Sequence, residues 1–312
     1  MIKKSTIILV FCFSLLTCNN YKSIRHIPRN TARILFIGNS ITYSGHYINY
    51  LETYFTIKYP KRCFEFINVG LSSETVSGLS EPNHANGKFP RPDLHDRLER
   101  IIAKTKPDLV LACYGMNDGI YLPFDEERFQ KFKDGILWLH QEFENINIPI
   151  VHLTPPIYDE RKGAEYAQVL DIYSNWLLDL KKTANWKIVD LHGPMKAFLA
   201  SKRKTDDTFE LSKDGIHPNP IGHWVMAQQL LSYFGCTNVN QFDTPQEAIS
   251  TLPHGMEILK LVEKRQDIMK HAWLTYTGYK RPGIKEGLPM EEAKLKYAKI
   301  QEEINEILNK RS

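Results

Sequence analysis

The stretch Arg33–Ser40, RILFIGNS, contains the pattern that decides the fold. An apolar run ends in Gly38, and an Asn-Ser pair follows it at once. A short apolar run without alternation is typical of a strand buried on both faces of a parallel sheet. A serine on a tight turn directly after such a strand can expose its hydroxyl as a nucleophile. The same tripeptide can equally cap the next helix, so the stretch alone leaves both interpretations open.

Four further apolar runs predict four more strands, and helical patterns separate them. This alternation predicts an α/β protein with a parallel sheet covered on both sides. In such sheets ligands bind beyond the carboxyl ends of the strands. The predicted strands are Arg33–Gly38, Phe64–Val69, Leu109–Tyr114, Ile148–Leu153 and Trp186–Leu191, and the predicted helices of this region are Tyr47–Tyr59, Leu94–Thr105, Phe124–Asn145, Ala164–Ala184 and Ile221–Phe234.

Residues with catalytic potential follow three more of these segments. Gly70 ends the second run, and a glycine lets its backbone N–H approach a ligand closely. Asn117 follows the third strand and can donate to a developing oxyanion, while Asp118 beside it is expected to support the turn. Asp214 precedes His217 by three residues and can hold one ring nitrogen, leaving the other as a general base. A turn glycine, an Asx turn and a capping aspartate are the ordinary alternatives.

In this order the four blocks resemble those of the SGNH, or GDSL-like, hydrolase family. They are GNS at 38–40, Gly70, GMND at 115–118 and DGIH at 214–217, and the resemblance covers roughly residues 33–234. It implies a flavodoxin-like three-layer α/β/α sandwich with a five-stranded parallel sheet. It also implies an ester-hydrolysing serine site that needs neither a metal nor an organic cofactor. Asn39 stands where many members of the family carry Asp.

The same resemblance assigns roles to individual residues. Ser40 would be the nucleophile, His217 its general base and later the general acid, and Asp214 the residue that orients His217. The oxyanion hole would consist of the backbone N–H groups of Ser40 and Gly70 and the side-chain amide of Asn117. The course of reaction would be acyl transfer to the serine followed by hydrolysis.

The substrate is less visible in the sequence. Four side chains near the blocks are expected at the mouth of the site, namely Tyr43, His46, Tyr121 and Trp224, although packing in the core or at the surface is an equal alternative. The long polar loop Ser72–Pro92 is expected to form a rim, since loops of this length are usually functional. The favoured substrate is an acylated, above all acetylated, carbohydrate. The alternatives are a lipid or small-ester acylhydrolase and a non-catalytic carbohydrate-binding lipoprotein.

The chain after Gly235 changes in character. The hydrolase domain is predicted at residues 28–235 and a helical C-terminal extension at 236–312, with helices over Met256–Trp273 and Met290–Leu308. Residues 271–283 are dense in aromatic side chains and resemble an extension of some exported bacterial SGNH proteins. They are expected either to dock the tail onto the core or to close one side of the pocket.

The first 18 residues read as a signal peptide. Lys3 and Lys4 precede the apolar run Ile7–Leu16, which is too short to span a bilayer. The run ends at Cys18 in a pattern that resembles a bacterial lipobox, and a conventional signal cut near Asn20 is the alternative. We therefore expect an exported protein of the periplasm or cell surface, anchored to a membrane through a lipid on Cys18.

Composition excludes several classes of protein. The 312 residues are 42% hydrophobic and 24% charged, as in an ordinary globular protein. A net charge of +4, or +2 without Lys3 and Lys4, and no basic cluster with interleaved aromatics argue against nucleic acid and for a neutral substrate. The five cysteines have no zinc-site spacing. Cys113 is expected in the core, and the state of Cys63 and Cys236 stays open.

Overall fold

A five-stranded parallel β-sheet forms the centre of the protein. The computed structural model describes residues 24–310, so the predicted signal peptide with Cys18 lies outside the described residues. The strands pair in the order β2-β1-β3-β4-β5, and every pairing is parallel. The predicted sheet is confirmed: β1 has the predicted bounds, and the other four strands are shorter than their apolar runs. They are β1 (Arg33–Gly38), β2 (Glu65–Asn68), β3 (Leu109–Cys113), β4 (Ile150–Leu153) and β5 (Lys187–Val189).

Helices surround the sheet. Every residue of β3, and all of β1 except Arg33, is buried, so both faces of the central strands are covered. The helices are α1 (Ser40–Ser44), α2 (His46–Lys58), α3 (Leu98–Thr105), α4 (Glu126–Asn145), α5 (Ala164–Thr183), α6 (His192–Arg203), α7 (Pro220–Tyr233), α8 (Pro245–Ser250), α9 (Gly255–Thr277) and α10 (Met290–Asn309).

Three of these helices, α1, α6 and α8, are missing from the sequence prediction. The α6 segment begins His-Gly-Pro, and glycine and proline both weaken a helical pattern. The α8 segment is only six residues long, although Thr244 and Glu247 form a complete capping box at its start. Helix α1 spans only five residues, which is too short for a helical period to show in the sequence.

The central strand β1 aligns the ends of its two neighbours. Phe36 of β1 lies beside Asn68 of β2, and Gly38 lies beside Cys113 of β3. A Cβ atom on Gly38 would stand only 2.6 Å from the carbonyl oxygen of Cys113. Because real side chains do not tolerate such a distance, only glycine lets the chain turn into α1 at this point. The carboxyl ends of the first three strands thus meet at one edge.

The C-terminal extension packs against the β2 side of the core. Helix α9 contacts α2 and β2, and α10 packs on α9. Arg265 of α9 donates to Glu52 of α2 at 2.7 Å, and both side chains are 2% exposed. Removal of the extension would take away both Arg265 and Gln266, which donate to the Glu52 carboxylate, so the tail is part of the packed structure. No helix of residues 24–310 has both the length and the apolar character that crossing a membrane requires.

A second buried ion pair holds the loop after β2. Arg97 donates through Nη2 to the Glu74 carboxylate at 2.7 Å and to the Val69 carbonyl at 2.8 Å. The Tyr114 hydroxyl, at the end of β3, donates to the same carboxylate at 2.7 Å. A buried charge that loses its partner is strongly destabilising. The Glu74–Arg97 pair therefore fixes the position of the loop between β2 and α3.

We expect the substitution Arg97→Met to lower the free energy of unfolding by about 3–5 kcal/mol, because Glu74 would remain buried without a cation. Urea denaturation monitored by circular dichroism measures this change. In the matched control, Lys182→Met removes a cation from the exposed pair with Asp179 and should cost less than about 1 kcal/mol. Equal losses in the two variants would contradict the role given to burial.

Candidate active site

Ser40, His217 and Asp214 meet at the carboxyl edge of the sheet. The Ser40 hydroxyl lies 2.9 Å from Nε2 of His217, and Nδ1 of His217 lies 2.6 Å from the Asp214 carboxylate. Asn39, not Ser40, caps α1, because its side chain accepts the Ile41 N–H at 3.0 Å. The serine hydroxyl is thereby left to bond the histidine ring, which resolves the alternatives left by the sequence.

The DGIH segment fixes the tautomer of His217. Asp214 accepts the backbone N–H groups of Ile216 and His217 at 2.9 and 2.8 Å through one oxygen, and the His217 ring through the other. A carboxylate only accepts hydrogen bonds, so Nδ1 carries the proton and the Nε2 lone pair faces Ser40. Desolvation acts to raise the pKa of Asp214, but these bonds prevail and lower it to about 2. The carboxylate is charged throughout the physiological range.

The Asn117 side chain is held at both ends. Its Oδ1 accepts the Tyr121 hydroxyl at 2.8 Å, and its Nδ2 donates to the Glu74 carbonyl at 3.0 Å. A hydroxyl donor and a carbonyl acceptor together determine which end of the amide is which. One Nδ2 hydrogen is used by Glu74, and the second has no acceptor among the described residues. The buried amide therefore retains one N–H for an oxyanion.

The sequence predicts Tyr121 at the mouth of the site, and in the structure its hydroxyl donates to Asn117. Ile120 and Tyr121 both lie in the left-handed region, with φ of 47° and 58°. Such a conformation is costly for non-glycine residues, and above all for a β-branched one, so the surrounding contacts must impose it. The Arg91 guanidinium lies 5.2 Å from the Tyr121 ring centroid and donates twice to Glu81. The long loop Ser72–Pro92 thus supports the tyrosine that orients Asn117.

The expectation that Gly70 offers a free backbone N–H is wrong. This N–H donates to Oδ1 of Asn68 at 2.9 Å, and Nδ2 of Asn68 donates to the Thr42 carbonyl at 2.7 Å. Glycine is needed here for packing, since a Cβ atom would lie 2.4 Å from the Tyr43 nitrogen. The Asn68 amide thus joins the end of β2 to α1. Its oxygen also accepts the Gly70 N–H that the sequence analysis assigned to the oxyanion hole.

Ser73, on the same loop, is a donor that the sequence did not reveal. It adopts φ of 68°, and its N–H has no acceptor among residues 24–310. Its carbonyl accepts from Arg91 at 3.5 Å, and the next residue, Glu74, binds Asn117. A glycine would be the usual signal for a left-handed residue, and this position carries serine. The Ser40 N–H likewise has no acceptor in the described part of the chain.

Asp118 joins the two loops that border this site. Its carboxylate accepts the N–H groups of Val76 and Ser77 at 2.9 Å and that of Gly115 at 2.8 Å. The side chain is completely buried, and this burial raises the pKa of Asp118 above its usual value. Asp118 binds backbone rather than the reacting groups, and it holds the loops after β2 and β3 together.

Two of the expected rim residues, Tyr43 and His46, lie at the surface near α1. The Tyr43 hydroxyl lies 3.1 Å from Nε2 of His271 in the tail, and Tyr43 is partly exposed. The His46 ring is exposed and lies 5.2 Å from the buried ring of His223. Desolvation lowers the pKa of His223 to about 3, so this imidazole is neutral. Both rim residues remain accessible to a bound molecule.

The expectation that Trp224 lines the mouth is wrong. Its side chain is fully buried, its indole N–H donates to the Phe242 carbonyl at 2.9 Å, and its ring packs against Tyr50 and Tyr54. Helix α7 follows the DGIH segment, and this residue points from α7 toward α2. A large apolar ring is stabilised by such burial, and sequence position alone did not distinguish the two faces of the helix.

The metal-ligating side chains and the thiols of the described residues form no metal site and no disulfide. Across residues 24–310, no three His, Cys, Asp or Glu side chains are arranged to hold a metal ion. The thiols of Cys63, Cys113 and Cys236 are all free, with Cys113 buried in β3 as expected. Burial raises the pKa of Cys113 to about 12, so this thiol stays protonated.

Comparison with known structures supports the fold. A gut microbial diltiazem-metabolizing enzyme superposes with a TM-score of 0.62 at 14% identity, covering 92% of this chain and 96% of that one. The acetylxylan esterase Axe2 from Geobacillus stearothermophilus gives 0.51 at 23% identity, over 65% and 94% of the two chains. An α/β hydrolase from the metagenome of Lake Arreo, Spain, gives 0.53 at 22% identity, over 66% and 96%. At these identities the likeness shows the fold alone. No curated protein matches the sequence.

The family is established by its own sequence model. The model of the GDSL-like lipase/acylhydrolase family matches residues 36–225, which is more than half of the chain. The matched segment contains Ser40, Asn117, Asp214 and His217, and the structural neighbours include esterases. The chain therefore belongs to the GDSL-like lipase/acylhydrolase family, the SGNH hydrolases, and it is a serine ester hydrolase.

Proposed function

We propose that this protein is an exported esterase that removes O-acyl groups, above all O-acetyl groups, from carbohydrate. The observation that carries the proposal is the hydrogen-bonded series Ser40–His217–Asp214, with distances of 2.9 and 2.6 Å. In this series the nucleophile, its base and the group that orients the base occupy the positions that acyl transfer requires.

In the first half of the reaction, Nε2 of His217 takes the proton of Ser40 as the serine oxygen attacks the ester carbonyl. Asp214 stabilises the imidazolium that forms and stays ionised itself. The imidazolium then protonates the leaving sugar oxygen, and the acyl group remains on Ser40. In the second half, His217 takes a proton from water as the water oxygen attacks the acyl-enzyme. The imidazolium then returns that proton to the Ser40 oxygen as the carboxylic acid leaves.

The oxyanion of each tetrahedral intermediate needs donors that the free enzyme leaves unpaired. Within residues 24–310, the backbone N–H groups of Ser40 and Ser73 and the second Nδ2 hydrogen of Asn117 meet this condition. We assign the oxyanion hole to these three groups, with Ser73 in place of Gly70. Such preorganised donors stabilise the charge that develops in the transition state.

The openness of the site supports a short acyl group on a large alcohol. The His217 and Asp214 side chains are 51% and 50% exposed, and Ser40 is partly exposed. A long acyl chain is stabilised by burial against an enclosed apolar surface, whereas an acetyl group has little apolar surface to bury. Exposed or partly exposed rings at Tyr43, Tyr121 and His46 suit the apolar faces of sugars. The acetylxylan esterase among the structural neighbours is consistent with this choice.

A small-ester acylhydrolase is the second candidate. It is favoured by the likeness to the diltiazem-metabolizing enzyme, which at 92% coverage extends into the C-terminal extension. Cleavage of lipid esters and a non-catalytic carbohydrate-binding lipoprotein are further alternatives. The proposal of export, with a lipid on Cys18, depends on residues 1–18 of the sequence. Mass spectrometry of the mature N-terminus distinguishes a lipidated cysteine from a conventional cut.

We expect Ser40→Ala to reduce kcat on p-nitrophenyl acetate by a factor on the order of 10⁶, since the nucleophile and base act as a unit. The matched control is Ser44→Ala, at the exposed end of the same helix α1, which should keep the wild-type rate. Equal rates for wild type and Ser40→Ala would contradict the esterase and favour the non-catalytic alternative.

The same preparations distinguish the candidate substrates. Acetate release should be observed from at least one of a panel of acetylated polysaccharides, with Ser40→Ala as the blank. Because the open site does not enclose a long chain, activity should fall as the acyl group of a p-nitrophenyl ester lengthens. Cleavage of long acyl chains without any acetate release would favour the lipid alternative.

We expect Tyr121→Phe to lower kcat about tenfold with little change in KM, because Asn117 would lose the bond that orients its amide. Asn117→Ala should cost roughly 10²–10³ in kcat. A double-mutant cycle tests the connection, since Tyr121→Phe should cost nothing further in the Asn117→Ala background. Tyr158→Phe removes a hydroxyl that only approaches the Lys162 carbonyl at 3.5 Å and serves as the control. Additive losses in the cycle would refute the positioning role of Tyr121.

We expect the Asp214 carboxyl to titrate near pH 2 in a carbon NMR titration. Its pKa is depressed below the unfolded value of about 3.9, so its contribution to stability is complete above about pH 4 and is lost as the pH falls through about 2. In His217→Ala the midpoint should move upward because the ring donor is gone. A wild-type midpoint at or above the unfolded value would show that the bonds to Asp214 are not formed in solution.

A further inference from the structure

The C-terminal extension places two cations beside the helix that carries the nucleophile. Lys270 of α9 has its Nζ 4.6 Å from the centroid of the Tyr43 ring. Arg281, on the segment that follows α9, has its guanidinium carbon 5.2 Å from the ring centroid of Phe89, which belongs to the loop Ser72–Pro92. Both residues therefore contact the elements that border Ser40.

The two cations differ in their carboxylate partners, because Lys270 shares one with a histidine and Arg281 has none in the described part of the chain. The Lys270 side chain is only 13% exposed, and burial lowers its pKa below the usual value. Its carboxylate partner is Asp267, whose Oδ1 lies 3.6 Å from Nζ and also 3.5 Å from Nδ1 of His271. Desolvation likewise lowers the pKa of Arg281, with the Tyr43 phenol acting in the opposite direction.

Arg281 is the less neutralised of the two cations. It forms no ion pair with any carboxylate in the described part of the chain, and its Nε is buried without an acceptor. Its Nη1 donates to the carbonyl of the adjacent Pro282 at 2.8 Å. A partly desolvated cation without a counter-ion is unfavourable unless another anion neutralises it. The guanidinium fork is suited to carboxylate or sulfate oxygens, which can accept two parallel bonds.

The segment that carries Arg281 is firmly seated. Gly287 packs against the α9 backbone so closely that a Cβ atom would lie 2.1 Å from the carbonyl carbon of His271. Its N–H donates to the Thr275 hydroxyl at 2.8 Å, and the Tyr279 hydroxyl donates to the Ile284 carbonyl at 2.9 Å. The position of Arg281 is thus set by packing, as a binding group requires.

Tyr43 connects these cations to the catalytic serine. It lies three residues after Ser40 on the one-turn helix α1, so the two side chains are neighbours at about 5–6 Å between Cβ atoms. The Tyr43 hydroxyl is bonded to His271, which keeps the ring beside Lys270. Tyr43 is thus a neighbour of Ser40 along the helix and of Lys270 across it.

Building on the proposed esterase function, we propose that Lys270 and Arg281, with the Tyr43 and Phe89 rings, form a subsite for an anionic group of the substrate. The group is a carboxylate or a sulfate on the glycan whose ester Ser40 attacks. The substrate class is therefore an acylated acidic glycan, whereas the net charge of the chain favoured a neutral one. The extension, on this proposal, supplies the residues that select the substrate.

The test compares an acetylated oligogalacturonate with its carboxyl-reduced counterpart, which has the same acetyl groups and no charge, and with an acetylated sulfated oligosaccharide. Wild type should show a kcat/KM on the order of tenfold higher for one of the charged substrates than for the reduced one. Arg281→Gln should abolish this preference through KM, and 0.5 M NaCl should weaken it. The rate on p-nitrophenyl acetate should not change.

Lys280→Gln is the matched control, because it removes the same charge from an exposed neighbour that contacts neither Phe89 nor Tyr43. It should retain the preference. Equal kcat/KM on all three substrates, or equal effects of Arg281→Gln and Lys280→Gln, would overturn the subsite while leaving the esterase intact.

Calorimetric binding of unacetylated oligogalacturonate and of a sulfated oligosaccharide to Ser40→Ala tests the subsite without catalysis. One of these anions should bind on the order of tenfold more tightly than the carboxyl-reduced oligomer, and Arg281→Gln in the same background should remove the difference. Charge-independent binding would refute the subsite even if no ester proved to be a substrate.

Discussion

The arrangement of the catalytic groups depends on the parallel pairing of β1 with both β2 and β3. Parallel strands end at a common edge, so the segments that follow them are neighbours although they are distant in the chain. The register places Gly38 beside Cys113 and Phe36 beside Asn68, which sets Ser40 close to the loops after β2 and β3. The site exists because three strand ends converge there.

Two buried carboxylates, Asp118 and Glu74, fix the positions of the loops that meet at this edge. Asp118 accepts three backbone N–H groups from the two loops, and Glu74 is held by Arg97 and Tyr114 while its carbonyl accepts from Asn117. Each of these acids is buried and neither contacts the reacting ester in the proposed mechanism. Their cost of desolvation is offset by bonds that fix the loops, and fixed loops present unpaired N–H groups to one point.

The extension belongs to the same structure by packing and by charge. Arg265 neutralises Glu52 inside the core, whereas Lys270 shares Asp267 with His271 and Arg281 has no carboxylate partner in the described part of the chain. The net charge of +4 on 312 residues does not show where on the surface the individual charges lie. Local desolvation makes individual cations matter more than the sum. The tail thus combines a structural role with the binding role proposed for it.

The sequence by itself determined the strand order along the chain, the parallel α/β class and the residues Ser40, Asn117, Asp214 and His217. Short apolar runs and the side chains directly after them are local features, so they can be identified without knowing which segments are in contact. The tertiary structure alone decided which backbone N–H groups stay free: Asn68 accepts the Gly70 N–H, whereas the Ser73 N–H has no acceptor among residues 24–310. It also decided that Trp224 faces α2 and that Tyr121 bonds Asn117. These outcomes depend on which distant segments come into contact, and a linear pattern does not encode those distances.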